Sequence, residues 1–94
     1  MGRAYWYSGM VYSGQEKWAP ADQALRSALP LIRGNGQLEG AALFYLGLAN
    51  YRMGKGKNKA QMTDALRFSE QAAAIKGPYQ AKAAQNVKAI QAGK

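Results

Sequence analysis

Residues 43–54, with the sequence LFYLGLANYRMG, decide the fold. Glycine costs about 1 kcal/mol relative to alanine inside a helix, so an apolar helical run that keeps Gly47 needs a structural reason. The missing side chain predicts a helix that another helix approaches closely at Gly47. The same spacing of aromatic, small and glycine residues occurs 38 residues earlier, at Tyr5, Ser8, Gly9 and Tyr12. This spacing indicates that the chain repeats one helical unit.

Composition predicts one small all-α domain. The chain has 94 residues, enough for a single modest core, and Val, Ile and Thr are too few for alternating strands. It has no cysteine and no histidine, which removes disulfides, thiol nucleophiles, imidazole bases and the usual zinc ligands. We expect no enzymatic activity, no catalytic residue, no cofactor and no metal site. The acidic residues lie at predicted polar faces or helix ends, with no pairing indicated: Glu16, Asp22, Glu39, Asp64 and Glu70.

Charge is the second compositional signal. The formal net charge is +8 and the pI is near 10.0, which favours acidic proteins, nucleic acid or anionic surfaces as partners. No apolar run reaches the length of about 18 residues that a membrane span needs, so a soluble chain is expected. The compartment stays open, with the cytoplasm favoured.

Helix signals divide the chain into five segments. Gly14 is a stop for the first helix, and a proline in the first turn marks the start of the second. Asn35 and Asn58 are predicted amino-terminal caps, the latter with Gln61 as a capping box. The predicted helices cover residues 3–13, 18–30, 36–53, 59–75 and 78–91.

Two prolines and a glycine set further boundaries. Pro30 predicts a kink or an end, with Leu31 and Ile32 still packing inward. Gly77 is predicted as the glycine that follows the fourth helix, and Pro78 as the first turn of the fifth. Glu39 and Asp64 are predicted to favour amino-terminal turns through the helix dipole.

The spacing resembles the tetratricopeptide repeat, whose pattern is W-x2-L-G-x2-Y, then A-x3-F, then P. The first unit matches at Tyr5, Gly9, Tyr12, Ala21, Leu25 and Ala28, and the second at Leu43, Leu46, Gly47, Ala65 and Ala72. Departures occur at Ser8, Asn50, Ser69 and Pro30. The chain is similar to the carboxy-terminal end of a bacterial-type array. The resemblance implies a right-handed α-solenoid with helix pairs at 3–33 and 36–76 and a capping helix at 78–92.

The resemblance also implies a function. Proteins of this family are mostly scaffolds whose first helices line a concave groove for a peptide or a partner helix. By position, the implied groove residues are apolar or aromatic for the most part: Trp6, Met10, Ser13, Phe44, Leu48, Tyr51 and Arg52. A clamp for a terminal carboxylate is not expected, because apolar residues stand where such clamps have lysine and asparagine. We therefore expect a protein or peptide partner, with an acidic one favoured by the charge.

Three alternatives remain open from the sequence. The groove side chains can pack within this chain, or they can mediate homo-oligomerisation as a homodimer. The basic loop of Arg52, Lys55, Lys57 and Lys59 can contact nucleic acid or another anionic surface, although such runs are more often solvated loops. The glycines in this loop lack the spacing of a nucleotide-binding loop.

Overall fold

The computed structural model describes residues 2–55 and 57–92, and every regular element among them is a helix. Five helices follow one another: α1 (Gly2–Gly14), α2 (Trp18–Ile32), α3 (Gly36–Gly54), α4 (Lys59–Ala73) and α5 (Gln80–Ala92). The predicted all-α fold is confirmed. Within the described residues, no helix is both long enough and apolar enough to cross a bilayer.

Helix α3 is the centre of the arrangement. Each helix packs against its neighbours along the chain, and α3 also touches α1 and α5. Helices α2 and α4 cover most of α3, while α1 and α5 flank it. The core lies between these layers and contains Leu25, Ala28, Leu29, Ile32, Ala42, Leu43, Phe44, Leu46, Phe68, Ala72 and Ala83.

Gly47 allows α4 to approach α3 closely, as the sequence predicts. A Cβ atom added at Gly47 would overlap the Oγ of Ser69 and would lie 3.1 Å from the Ser69 nitrogen and 3.2 Å from the Ala65 oxygen. Two of these three atoms belong to the α4 backbone, which cannot rotate away. Gly9 allows a similar close approach between α1 and α2, where an added Cβ would overlap the side chain of Leu25.

Gly47→Ala is expected to lower the free energy of unfolding by about 1–3 kcal/mol, because the added methyl group forces α3 and α4 apart. Gly40→Ala is the matched control in the same helix, since its Cβ would meet the Ile75 side chain at 3.4 Å from Cγ2 and 3.9 Å from Cβ, and no backbone of α4. The free energy of unfolding of this control is expected to rise by up to about 1 kcal/mol, because alanine has a higher helix propensity than glycine. Urea unfolding of both variants measures the difference. Equal effects would show that helix propensity, and not the approach of α4, governs Gly47.

Two asparagine caps are confirmed. The Asn35 side chain accepts a hydrogen bond from the Leu38 nitrogen at 3.3 Å, and the Asn58 side chain accepts from the nitrogens of Ala60 and Gln61. The reciprocal half of the predicted capping box is absent from the hydrogen bonds of the described residues. The Gln61 Nε2 atom instead points to the sulfur of Met53, 3.8 Å away.

The end of α1 differs from a glycine-based stop. The helix ends at Gly14, but the residue with left-handed backbone is Glu16, at φ 59°. The Lys17 nitrogen donates to the Tyr12 oxygen at 2.9 Å, and the Glu16 nitrogen donates to the Ser13 oxygen at 3.1 Å. These two bonds form a Schellman motif, which satisfies the last carbonyls of α1 at a residue other than glycine.

Helix α2 continues through Pro30 to Ile32, so the proline does not end the helix. The missing N–H falls in the last turn, where its loss removes one bond only. Ile32 is buried as predicted, but the prediction for Leu31 is wrong, because its side chain is 55% exposed. Leu31 does not lie on the inward-facing side of α2, which is formed by Leu25, Ala28, Leu29 and Ile32.

The connection between α4 and α5 is longer than predicted. Helix α4 ends at Ala73, and its last turn is tightened by bonds from Ala74 to Gln71 and from Ile75 to Ala72. Gly77 therefore does not directly follow the helix, and Pro78 precedes α5, which begins at Gln80. The Gln80 side chain donates to the Ala73 oxygen at 3.0 Å and satisfies a carbonyl at the end of α4.

Candidate partner-binding face

One side of α3 is not covered by α2 or α4. Residues Leu48, Tyr51, Arg52 and Lys55 follow one another at the spacing i, i+3, i+4 and i+7, which places them along one stripe. Leu48 and Tyr51 are half-buried, while Arg52 and Lys55 are exposed. We call this stripe the α3 face. Trp6 of α1 meets α3 at Leu38, and Tyr79, just before α5, meets it at Phe44 and Tyr45.

Trp6 joins α1 to α3. Its indole Nε1–H donates to the Leu38 oxygen at 2.9 Å, and its ring meets the edge of Tyr7 with centroids 5.0 Å apart. Trp6 is half-buried, as is Met10 one turn further along α1. The hydrogen bond fixes the indole, so Trp6 has a structural contact within the chain in addition to its predicted place in the groove.

Phe44 lies in the core. Its side chain is 8% exposed, and its ring packs against Tyr45 and Tyr79 with centroid distances of 4.9 and 5.2 Å. Burial, followed by the neighbouring Tyr79 phenol, raises the pKa of the Tyr45 side chain above its ordinary value. Ser13 is also buried. The exposed part of the predicted groove therefore excludes Phe44 and Ser13.

Four basic residues lie at the carboxy-terminal end of the α3 face and just after it. Lys55 places its Nζ atom 5.6 Å from the centre of the Tyr51 ring, within range of a cation–π contact. Arg52 lies in the last turn of α3, where a positive charge complements the helix dipole. Lys57 is exposed in the connection to α4, and Lys59 is exposed at the first residue of α4. We call Arg52, Lys55, Lys57 and Lys59 the basic end.

A polar cluster that the sequence analysis did not find joins α2, α3 and α4. The Arg26 Nε atom donates to both Asp22 oxygens at 2.9 and 3.0 Å, and a terminal nitrogen lies 3.2 Å from the Asp64 carboxylate. Asn50 is 2% exposed and donates to Asp22 at 2.8 Å and to the Leu46 oxygen at 2.9 Å. We call these four residues the Arg26 network.

The surroundings of Arg26 explain its charge state. Burial alone lowers the pKa of the Arg26 guanidinium, but hydrogen bonds and charges from Asp22 and Asp64 outweigh it and raise the pKa. The guanidinium carbon also lies 5.0 Å above the Phe68 ring. Asp64 further pairs with Arg67 at 3.2 Å.

This arrangement corrects the prediction for Asp64, which lies outside the first turn of α4 and acts through ion pairs. Glu39 does lie in the first turn of α3, as predicted, and it pairs with Arg33 at 3.8 Å. In residues 2–55 and 57–92, no three acidic side chains come together as a metal site would require.

Comparisons with known proteins identify no relative. Family models, curated proteins and solved structures were each searched, and none matches this chain. The resemblance to the tetratricopeptide repeat therefore stays a prediction, and the functional argument depends on the residues of this chain.

Proposed function

We propose that the chain is a protein-interaction module that binds a peptide or a partner helix on the α3 face. The observation that carries the proposal is the stripe of Leu48, Tyr51, Arg52 and Lys55, which the packing of the helices leaves partly exposed. Leu48 and Tyr51 are half-buried and keep part of their surface in solvent. A helix face with an aromatic ring and an aliphatic side chain fits the recognition of the apolar face of a partner helix.

The size of the α3 face limits the partner. From residue 44 to residue 55 the helix axis rises about 17 Å, which matches about three turns of a bound helix. The Phe44, Tyr45 and Tyr79 cluster closes one end of the stripe, and the basic end lies at the other. Trp6 and Met10 are half-buried on α1, and Trp6 contacts α3 at Leu38, which lies before the stripe.

The test uses a fluorescein-labelled peptide of about 18 residues, built from Leu, Ala and Gln as an uncharged amphipathic helix. Its affinity is measured by fluorescence anisotropy for the unchanged protein and for Leu48→Gln. The loss of an apolar contact at the centre of the face is expected to weaken binding by about tenfold.

Leu31→Gln is the matched control, because Leu31 is a solvent-exposed leucine on α2, away from the α3 face. It is expected to leave the affinity unchanged. Phe44→Ala is not a suitable probe, since removal of a buried ring destabilises the fold by about 3–5 kcal/mol whether or not a partner binds. Equal weakening by Leu48→Gln and Leu31→Gln, or no binding at all, would contradict the proposal.

Light scattering of the protein alone, across a concentration series, separates partner binding from self-association. A monomer is expected. A dimer that dissociates in Leu48→Gln would mean that a second copy occupies the α3 face, in which case homo-oligomerisation replaces the proposal.

A further inference from the structure

We propose that the occupant of the α3 face is an acidic segment of another protein, held in one direction by the basic end. This inference rests on the proposed function and adds the chemistry and the polarity of the partner. It commits to a helical segment with an apolar stripe and with carboxylates concentrated at one of its ends.

The first step is the distribution of charge pairs. The chain has 13 basic and five acidic residues. Across the described part of the chain, the ion pairs involve three carboxylates, Asp22, Glu39 and Asp64, with the cations Arg26, Arg33 and Arg67. All three cations lie on α2, α4 or the connection before α3. The internal charge compensation is therefore located away from the α3 face.

The second step is the concentration of charge at the basic end. Four cations fall within residues 52–59, and none of them takes part in an ion pair among the described residues. The dipole of α3 accounts for a cation at Arg52, in the last turn. It does not account for Lys55, Lys57 and Lys59, whose mutual repulsion a nearby carboxylate would relieve.

The third step is the placement of Lys55. The cation–π contact with Tyr51 holds the Lys55 ammonium group beside an apolar surface instead of leaving it free in solvent. A ligand that covers Tyr51 therefore meets a charged group at its edge. A ligand with an apolar side chain over Leu48 and Tyr51 and a carboxylate within the next turn contacts the apolar surface and pairs with the Lys55 ammonium group at the same time.

The fourth step is direction. The opposite end of the stripe, at Phe44 and Tyr79, is aromatic and has a single cation beside it, Lys82, whose Nζ atom lies 5.8 Å from the centre of the Tyr79 ring. A ligand with carboxylates at one end therefore meets four cations in one orientation and one cation in the other. Electrostatic complementarity of this kind fixes register and increases the rate of association.

The experiment compares peptides with the same apolar stripe as the uncharged probe. One carries glutamates at its amino-terminal end, one at its carboxy-terminal end, and a third carries lysines at both ends. Anisotropy is measured at about 50 and about 300 mM salt, since exposed charge pairs are screened at the higher concentration. One glutamate peptide is expected to bind about tenfold more tightly than the uncharged peptide at low salt.

Two substitutions with the same change in charge locate the effect. Lys57→Glu, in the basic end but outside the α3 face, is expected to remove the advantage of the glutamate peptide and to leave the affinity for the uncharged peptide nearly unchanged. Lys76→Glu is the control, because Lys76 is exposed in the connection between α4 and α5. Equal losses in the two variants would mean that net charge alone attracts the peptide, which would overturn the inference.

The outcomes also separate this inference from the proposed function. If the uncharged and glutamate peptides bind equally, the inference fails and the proposed function stands. If no peptide binds, the proposed function fails. If a single-stranded oligonucleotide binds more tightly than every peptide and loses affinity in Lys57→Glu, nucleic-acid binding through the basic end replaces both.

Discussion

Asn50→Asp is expected to lower the free energy of unfolding at pH 7 by about 3–5 kcal/mol, although the two side chains have nearly the same shape. Asn50 is 2% exposed and donates both to the Asp22 carboxylate and to the Leu46 carbonyl oxygen. Aspartate cannot donate either bond when ionised, so it places a buried negative charge against two acceptors. Among the hydrogen bonds of residues 2–55 and 57–92, the cation that opposes this charge is Arg26, 3.4 Å from the Asn50 oxygen.

The destabilisation by Asn50→Asp is expected to depend on pH. Burial and the neighbouring Asp22 raise the folded-state pKa of the new carboxyl group above its unfolded value of about 3.9. The part of the penalty that comes from the charge is therefore absent below the unfolded pKa, where the group is neutral in both states, and it grows as the pH rises towards the folded-state pKa. Urea unfolding of the variant and the unchanged protein at pH 7 and near pH 4 measures this difference.

Two controls isolate the buried charge. Asn35→Asp makes the same chemical change at an exposed cap of α3, where aspartate caps as well as asparagine, and stability is expected to stay within about 0.5 kcal/mol. Asn50→Leu removes the same hydrogen bonds without adding charge, at an expected cost of about 1–3 kcal/mol. If Asn50→Asp costs no more than Asn50→Leu at pH 7, the charge is solvated and the Arg26 network does not exclude water.

The helices could be predicted because their signals are local. Helix α3 begins after its cap Asn35 and ends at Gly54, and helix α4 begins after its cap Asn58. The structure confirms these three predicted boundaries. The close approach at Gly47 was predictable for the same reason, since a glycine inside an apolar helix indicates a neighbour without naming it. The way α1 ends was not predictable, because Glu16 adopts the left-handed backbone that glycine normally adopts.

The Arg26 network was not predictable from spacing. Asp22 and Arg26 are four residues apart on one helix, a common surface pair. Their partners Asn50 and Asp64 come from two other helices, and only the packing of α2 and α4 against α3 brings them together. The sequence analysis treated Asn50 as a departure from a repeat pattern. In the structure, Asn50 is the buried link of a three-helix contact.

The candidate face was predicted in part. Leu48, Tyr51 and Arg52 lie on one stripe because helical periodicity alone places them there. The burial of Phe44 depends on Tyr79, which follows a turn whose length the sequence signals misjudged. Helix α5 begins two residues later than predicted. The sequence could therefore indicate the aromatic content of this region but not which ring would be enclosed.

Leu25→Ala is expected to cost about 2–5 kcal/mol, because Leu25 is fully buried and its removal leaves a cavity between α1 and α2. The size of the cost depends on whether α1 can move inward to fill the space. Gly9 lies directly against the Leu25 side chain, so the cavity would open at a position of α1 that has no side chain. Thermal and urea unfolding measure the loss.

A double-mutant cycle shows whether Gly9 and Leu25 act as a matched pair. Gly9→Ala alone is expected to destabilise by about 1–3 kcal/mol, since the new methyl group overlaps Leu25. In the double variant the methyl group enters the space that Leu25→Ala vacates, so the combined cost is expected to fall below the sum by about 0.5–3 kcal/mol. Gly14→Ala is the control, because an added Cβ there meets no atom within 4 Å. It should add independently to Leu25→Ala. Additive costs for Gly9→Ala and Leu25→Ala would mean that α1 shifts freely on α2, and that the close approach at Gly9 does not fix the position of α1.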